Sequence, residues 1–280
     1  MAMVRNNRVG TVITHVLLIA GVALMCFPIW LTFVGSTVTQ AEIVRPPLPL
    51  LPGGQLVENY RAALVSGVNA PVGRMLLNST VMALGIAVGK IAISLLSAFA
   101  IVYFRFPGRM LCFWTIFITL MLPVEVRIVP TYEIAVNLGL LNSYPGLILP
   151  LIASATATFL FRQFFMTVPD ELVEAARMDG AGPMRFFVDI LLPLSRTNIA
   201  ALFVILFIYG WNQFLWPLLV TTDPDMNTIV MGIKQMLPQA DDYGNWPVTM
   251  ATAILAILPP VAVVLLMQRL FVKGLIDSEK

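Results

Sequence analysis

Six apolar runs of membrane length, 11–34, 76–103, 110–129, 145–165, 198–220 and 248–268, constrain this chain more than any other feature. A bilayer core about 30 Å thick takes roughly 20 apolar residues as a helix, because in hydrocarbon every backbone polar group must be satisfied within the segment. Composition agrees: 11% of residues are charged and the mean hydropathy is +0.88, whereas soluble domains carry about 25% charged residues. The pattern predicts an all-α, polytopic membrane protein with six transmembrane helices in one transmembrane domain over 1–280. The first run is longer than a signal-peptide core and no small-x-small cleavage site follows it, so it is expected to stay as a helix. Between runs one and two, Val57 to Val65 has the pattern of a short surface helix.

Lysine and arginine bias sets the expected orientation. With the N-terminus inside, eleven of the cations fall inside (Arg5, Arg8, Arg105, Arg109 and Arg162 among them) and five fall outside, namely Arg45, Arg61, Arg74, Arg127 and Lys234. The C-terminus is then inside, and the acidic loop holding Asp223, Asp225, Asp241 and Asp242 is outside. A net charge of +2 offers no large basic surface for nucleic acid. Cys26 and Cys112 sit in apolar runs with no disulfide or metal spacing. His15 is the only histidine, so a histidine metal cluster is excluded, and an intramembrane enzyme has little to work with.

Residues 168–193 form the most heavily charged stretch and lie between runs four and five. Leu172, Ala175 and Ala176 keep helical apolar spacing. Pro169 suits a first helical turn, Asp170 and Glu171 suit the positive end of the helix dipole, and Gly180 suits its C-terminal cap. Pro183 then starts a second helix. An exposed helix-turn-helix between membrane spans is expected to touch a partner. Inside the runs, Gly85 and Gly89 stand at GxxxG spacing for close helix packing. Gly85 to Ile91 imitates a phosphate loop, but it is one residue short, lacks the terminal Ser or Thr, and sits in an apolar helix without free N–H groups. Lys90 therefore reads either as part of a translocation path or as an interhelical pair, since intramembrane cations face the bundle interior. Glu125 and Arg127 close the third run, which is broken or kinked at Pro123.

Glu174-Ala175-Ala176, three residues, Gly180, nine residues, then Ile190-x-Leu192-Pro193 matches the EAA loop of the membrane subunits of bacterial ABC importers. Trp211-Asn212 with Pro217, and Leu138-Gly139-Leu140, resemble the carbohydrate-importer branch of that family. LSAFAIVYFRFP (96–107), TLMLPVEVRIVPT (119–131), residues 154–187 and the ending GLIDSEK are most similar to the second permeases of glycerol-3-phosphate importers. That ending departs from the glycine-rich tail of maltose-type subunits.

The resemblance implies a permease subunit in the inner membrane, not an enzyme. It implies a second permease, a cytoplasmic ATPase dimer that holds ATP and Mg, and a periplasmic substrate-binding protein. No cofactor is expected on this chain. The implied ATPase-coupling residues are Glu174, Ala175, Ala176, Asp179, Gly180 and Pro193, with Glu174 as the anchor. The implied substrate is sn-glycerol-3-phosphate or a related glycerophosphodiester, with a neutral sugar or polyol as the alternative. A doubly charged phosphate needs cations along its path, so Arg127 and Lys90 are the candidates, with Glu125 and Asn212 beside the path. Pairing of Arg127 with Glu125, Glu133 or a neighbouring subunit is the competing reading.

Overall fold

A computed structural model describes residues 8–65, 70–121, 124–237 and 244–277. Among these every regular element is helical: α1 (Arg8–Gly35), α2 (Gln40–Ile43), α3 (Leu56–Val65), α4 (Val72–Tyr103), α5 (Arg109–Met121), α6 (Val124–Asn137), α7 (Tyr144–Ile148), α8 (Ala155–Phe165), α9 (Asp170–Met178), α10 (Pro183–Phe186), α11 (Leu192–Leu194), α12 (Arg196–Trp211), α13 (Leu215–Val220), α14 (Ile229–Met236) and α15 (Trp246–Asp277). Short 3₁₀ turns cover Leu149–Leu151 and Pro224–Met226, and a π turn covers Phe187–Leu191.

Among the described residues three helices are long and apolar enough to cross a membrane: Gly10–Gly35, Val72–Tyr103 and Trp246–Gln268. Pro28 lies inside the first and Pro259 and Pro260 inside the last, as membrane helices tolerate; one turn after Pro28, the Thr32 hydroxyl donates to the Pro28 carbonyl at 2.9 Å. The other runs are more broken than their composition indicates. Run four, 145–165, is two helices, Tyr144–Leu151 and Ala155–Phe165, bent by 52°. The break falls where Ser154 leaves helical geometry to accept a hydrogen bond from the Ala157 amide. Run five, 198–220, breaks at 212–214 between α12 and α13, and Pro183–Leu194 meets Arg196–Trp211 at 72°. In the third run Pro123 lies outside the described residues, and helix persists to Asn137, through Pro130, rather than ending near 129.

The chain divides into two compact units, residues 1–72 with 233–257, and 73–232 with 258–280. In the first, the turn after α1 is pinned by side chains. Asn59 donates to the Ser36 and Val38 carbonyls at 3.0 Å, and the Thr37 hydroxyl accepts from the Gly53 amide at 2.8 Å. Gln40 bridges to the start of α15, donating to the Gly244 carbonyl and accepting from the Trp246 amide.

The second unit is built around α4. Half of its apolar window is buried, against none of that of α1, so α4 is a central helix and α1 presents its apolar surface outward. Gly85 and Gly89 let α4 approach the chain at Ile148 and Ile152, where an added Cβ would meet a side-chain carbon at 2.6 Å in each case. Gly210 brings α12 equally close to α4, with the Cα of Ala83 at 2.9 Å from a Cβ placed there. The core joins Met82 and Ile86 of α4, Ile128 of α6, Leu147 of α7 and Trp216 of α13. The Trp216 indole N–H donates to the Gly146 carbonyl at 3.0 Å, so this buried ring keeps its polar end satisfied.

Candidate functional site

Residues 168–193 build a helix, a glycine turn and a second helix. Pro169 caps α9 from outside, one position earlier than a first-turn proline, so that Asp170 and Glu171 occupy the first turn and Arg177 the last. This order places charges favourably on the helix dipole. The end of α9 is a Schellman motif: the Ala181 amide donates to the Ala176 carbonyl at 2.9 Å and the Gly180 amide to Arg177 at 3.0 Å. Its αL residue is Gly180 at φ +73°, which a glycine adopts without steric cost. Pro183 occupies the first turn of α10. Pro193 has no N–H for the Asp189 carbonyl one turn back. The widened π turn immediately before it, closed by the Leu192 amide on the Phe187 carbonyl, absorbs the mismatch.

One face of the segment is anchored and the other is free. Ala176, Phe186 and Phe187 are buried. Phe186 packs edge-on against Tyr103 at 5.3 Å, and Phe187 lies 4.8 Å from Phe99, so the end of α4 supports the turn. The Tyr103 hydroxyl donates to the Phe165 carbonyl at 3.2 Å, fixing the end of α8 to the same base. Outward stand Glu174, Ala175 and Asp179, and two methionines, Met178 at 83% exposure and Met184 at 58%. Glu174 lines a cavity of about 400 Å³ together with Arg105, Arg109, Asp170 and Arg177. The face thus carries flexible apolar tips ringed by charge, a surface able to receive a protein partner.

A second constellation lies in α4, α6 and α12. Lys90 is 7% exposed, and its Nζ sits 3.8 Å over the centroid of the Tyr209 ring. Among the described residues no carboxylate is within ion-pair distance of it. The charge of Arg127 reaches both Lys90 and Tyr209. The core explains why: Ile86, one turn before Lys90, and Ile128, next to Arg127, share a cluster into which Tyr209 packs. Gln213 donates to the Tyr209 carbonyl at 3.1 Å. Glu133 is exposed and unpaired with Arg127. The side chain of Glu125 lies outside the described residues. Asn212 caps α12 and is exposed. Sequence reasoning missed Tyr209, since a lone tyrosine in an apolar helix carries no spacing signal.

Also missed is a polar clamp on the loop after α13. The Asn142 carboxamide oxygen accepts from the Thr222 and Asp223 amides at 2.7 and 3.0 Å. Asn78, fully buried, donates to the Asp225 and Asn227 carbonyls and accepts from the Tyr144 hydroxyl at 2.8 Å. The Ser79 hydroxyl accepts from the Ile229 amide. Of the acidic loop, Asp223 caps the 3₁₀ turn and Asp225 is exposed; Asp241 and Asp242 lie outside the described residues.

Residues 90–277 match the model of the family described as binding-protein-dependent transport system inner membrane component. The chain belongs to that family. It is a permease subunit of an ABC importer and not an enzyme, and a multi-pass membrane protein. Similar proteins include the sn-glycerol-3-phosphate transport system permease proteins UgpE of Brucella melitensis biotype 1 and Agrobacterium fabrum, each 63% identical over 99% of this chain and 100% of the relative. The protein of that name in Salmonella typhi is 60% identical over the same shares. Among solved structures, a bacterial ABC transporter involved in import of the acidic polysaccharide alginate aligns over 96% of this chain and 99% of its own, with a TM-score of 0.79 and 18% identity. A bacterial alginate ABC transporter, in complex with a periplasmic protein bound to alginate pentasaccharide, aligns at 0.60 and 16% identity. At that identity these structures bear on the fold alone.

Proposed function

We propose that this chain forms, with a second permease, the translocation path for sn-glycerol-3-phosphate or related glycerophosphodiesters across the bacterial inner membrane. Identity of 63% over whole chains with relatives named for that substrate carries the reading. The single domain crosses six times with both ends inside, runs three to five each crossing as more than one helical piece. A cytoplasmic ATPase dimer supplies the ATP chemistry with Mg, and a periplasmic binding protein delivers the substrate to the outer loops. The α9–α10 turn docks on the ATPase through Met178, Met184 and Glu174, with Ala175, Ala176, Asp179, Gly180 and Pro193 shaping it. Closure of the ATPase dimer then drives the spans through this rigid knuckle. Lys90 and Arg127 receive the phosphate. Two buried or half-buried cations with no described carboxylate between them favour a dianion over a neutral sugar.

The test is uptake into vesicles holding both permeases and the ATPase, with binding protein loaded with sn-glycerol-3-phosphate or with a neutral sugar. Uptake of the phosphate ester alone, abolished by Glu174→Ala and with its KM raised by Arg127→Gln, is the expected result. Uptake of the sugar alone overturns the substrate.

A further inference from the structure

The ammonium of a buried lysine normally finds a carboxylate, because isolated charge in a low-dielectric interior is costly. Among the described residues Lys90 finds a ring instead. The difference matters for what the site can bind. A carboxylate would cancel the lysine charge. The Tyr209 ring carries no net charge, and its electron-rich face stabilises the ammonium while leaving the full +1 in place. The ring also covers one side of the ammonium only, so some of its three N–H donors stay available. Arg127 lies within electrostatic reach of the same two groups, so the pair presents two like charges that nothing described neutralises.

We infer that Tyr209 is a positioning residue for anion recognition: its ring holds the Lys90 ammonium charged and aimed into the path beside Arg127, where the substrate phosphate completes the lysine's coordination. The inference rests on the proposed substrate and adds to it the residue that keeps the cation uncancelled. Ring and phosphate act together, the ring on one side of the ammonium and phosphate oxygens on the other. The ring is therefore retained when substrate binds, and a weaker ring gives weaker binding.

Graded fluorination tests this without altering packing. Fluorine withdraws electron density from the ring face, weakens its hold on a cation, and hardly changes its shape. Phenylalanine and its mono-, di- and trifluorinated analogues are placed at position 209 by suppression, in the complete complex. Uptake KM for sn-glycerol-3-phosphate is measured for each, with Lys90 intact and with Lys90→Gln. The expected result is a stepwise rise in KM across the series, reaching roughly tenfold, which flattens in the Lys90→Gln background. Tyr209→Leu raises KM as far as the trifluorinated ring, and Tyr209→Phe recovers most of that loss. A flat series with Lys90 intact overturns the inference. So does an equal rise in both backgrounds, since the ring then acts without the lysine. If the unmodified complex takes up no sn-glycerol-3-phosphate, the substrate reading itself has failed, and that is visible before any variant is made.

Discussion

Asn142 sits at φ +50° and makes three side-chain hydrogen bonds, to the Thr222 and Asp223 amides and to the Thr222 hydroxyl. Each net bond is worth about 1 kcal/mol, and an orphaned amide more. Asn142→Gly keeps the backbone relaxed and loses the bonds, so the purified subunit is expected to unfold at lower temperature by the equivalent of about 2–3 kcal/mol. Asn142→Ala loses the same bonds and adds about 1 kcal/mol of left-handed strain. Its melting temperature falls below that of Asn142→Gly; the reverse order would refute the backbone argument. Glu42 supplies a pH-dependent counterpart. Its carboxylate accepts from the Thr39 amide at 2.8 Å and from the Thr39 hydroxyl, and those two bonds lower its pKa from the ordinary 4.5. A depressed carboxyl contributes stability above its unfolded pKa and loses it as pH falls through the folded value. The Glu42 carboxyl resonance is therefore expected to titrate below pH 4.5, with the α2 cap opening over the same window, and Thr39→Val returns it toward the ordinary value.

The coupling turn shows what can be read from sequence at the scale of an element. Pro183 and the acidic first turn of α9 announce their positions by chemistry that acts within a few residues, and Gly180 follows from the αL geometry that a helix stop requires. Asn142 and Tyr209 do not, because their partners stand some 80 residues away or across three helices, and nothing local to them differs from an ordinary turn or apolar face. The break in run four is illegible for a related reason. Ile152-Ala153-Ser154 stays apolar or small through the bend, so hydropathy runs on where the backbone does not. In the coupling turn the local chemistry yields a sharp expectation. A Cβ at Gly180 meets nothing within 4 Å, so the cost of Gly180→Ala is conformational alone, about 1 kcal/mol, concentrated in the Schellman turn. Gly182 is equally open but at φ −70°, a region every residue adopts. ATPase stimulation by loaded binding protein is expected to drop severalfold in Gly180→Ala and to change little in Gly182→Ala. Equal effects would remove backbone geometry as the explanation.

Across the whole molecule, the proposed topology turns on the chain between α9 and the clamped loop crossing the bilayer once. Helix α12 has 16 residues, about 24 Å at 1.5 Å per residue, short of a core about 30 Å thick. In the proposed topology helix α13 adds six residues, roughly 9 Å, and carries the crossing to completion despite the break at 212–214. That topology has Thr222 to Asn227 emerge on the face opposite α9. The charge pattern agrees, with Arg177, Arg185 and Arg196 before the crossing and Asp223 and Asp225 after it, as the retention of arginine on the cytoplasmic side requires. With Cys26 and Cys112 replaced by alanine, single cysteines at Met178→Cys and Asp225→Cys probe both sides, since each parent residue is exposed. A membrane-impermeant maleimide is expected to label Asp225→Cys in spheroplasts and to leave Met178→Cys untouched until inside-out vesicles are made. Labelling of both from one side would mean that α12 and α13 re-enter rather than cross, leaving an odd number of spans and placing the two chain ends on opposite sides of the membrane.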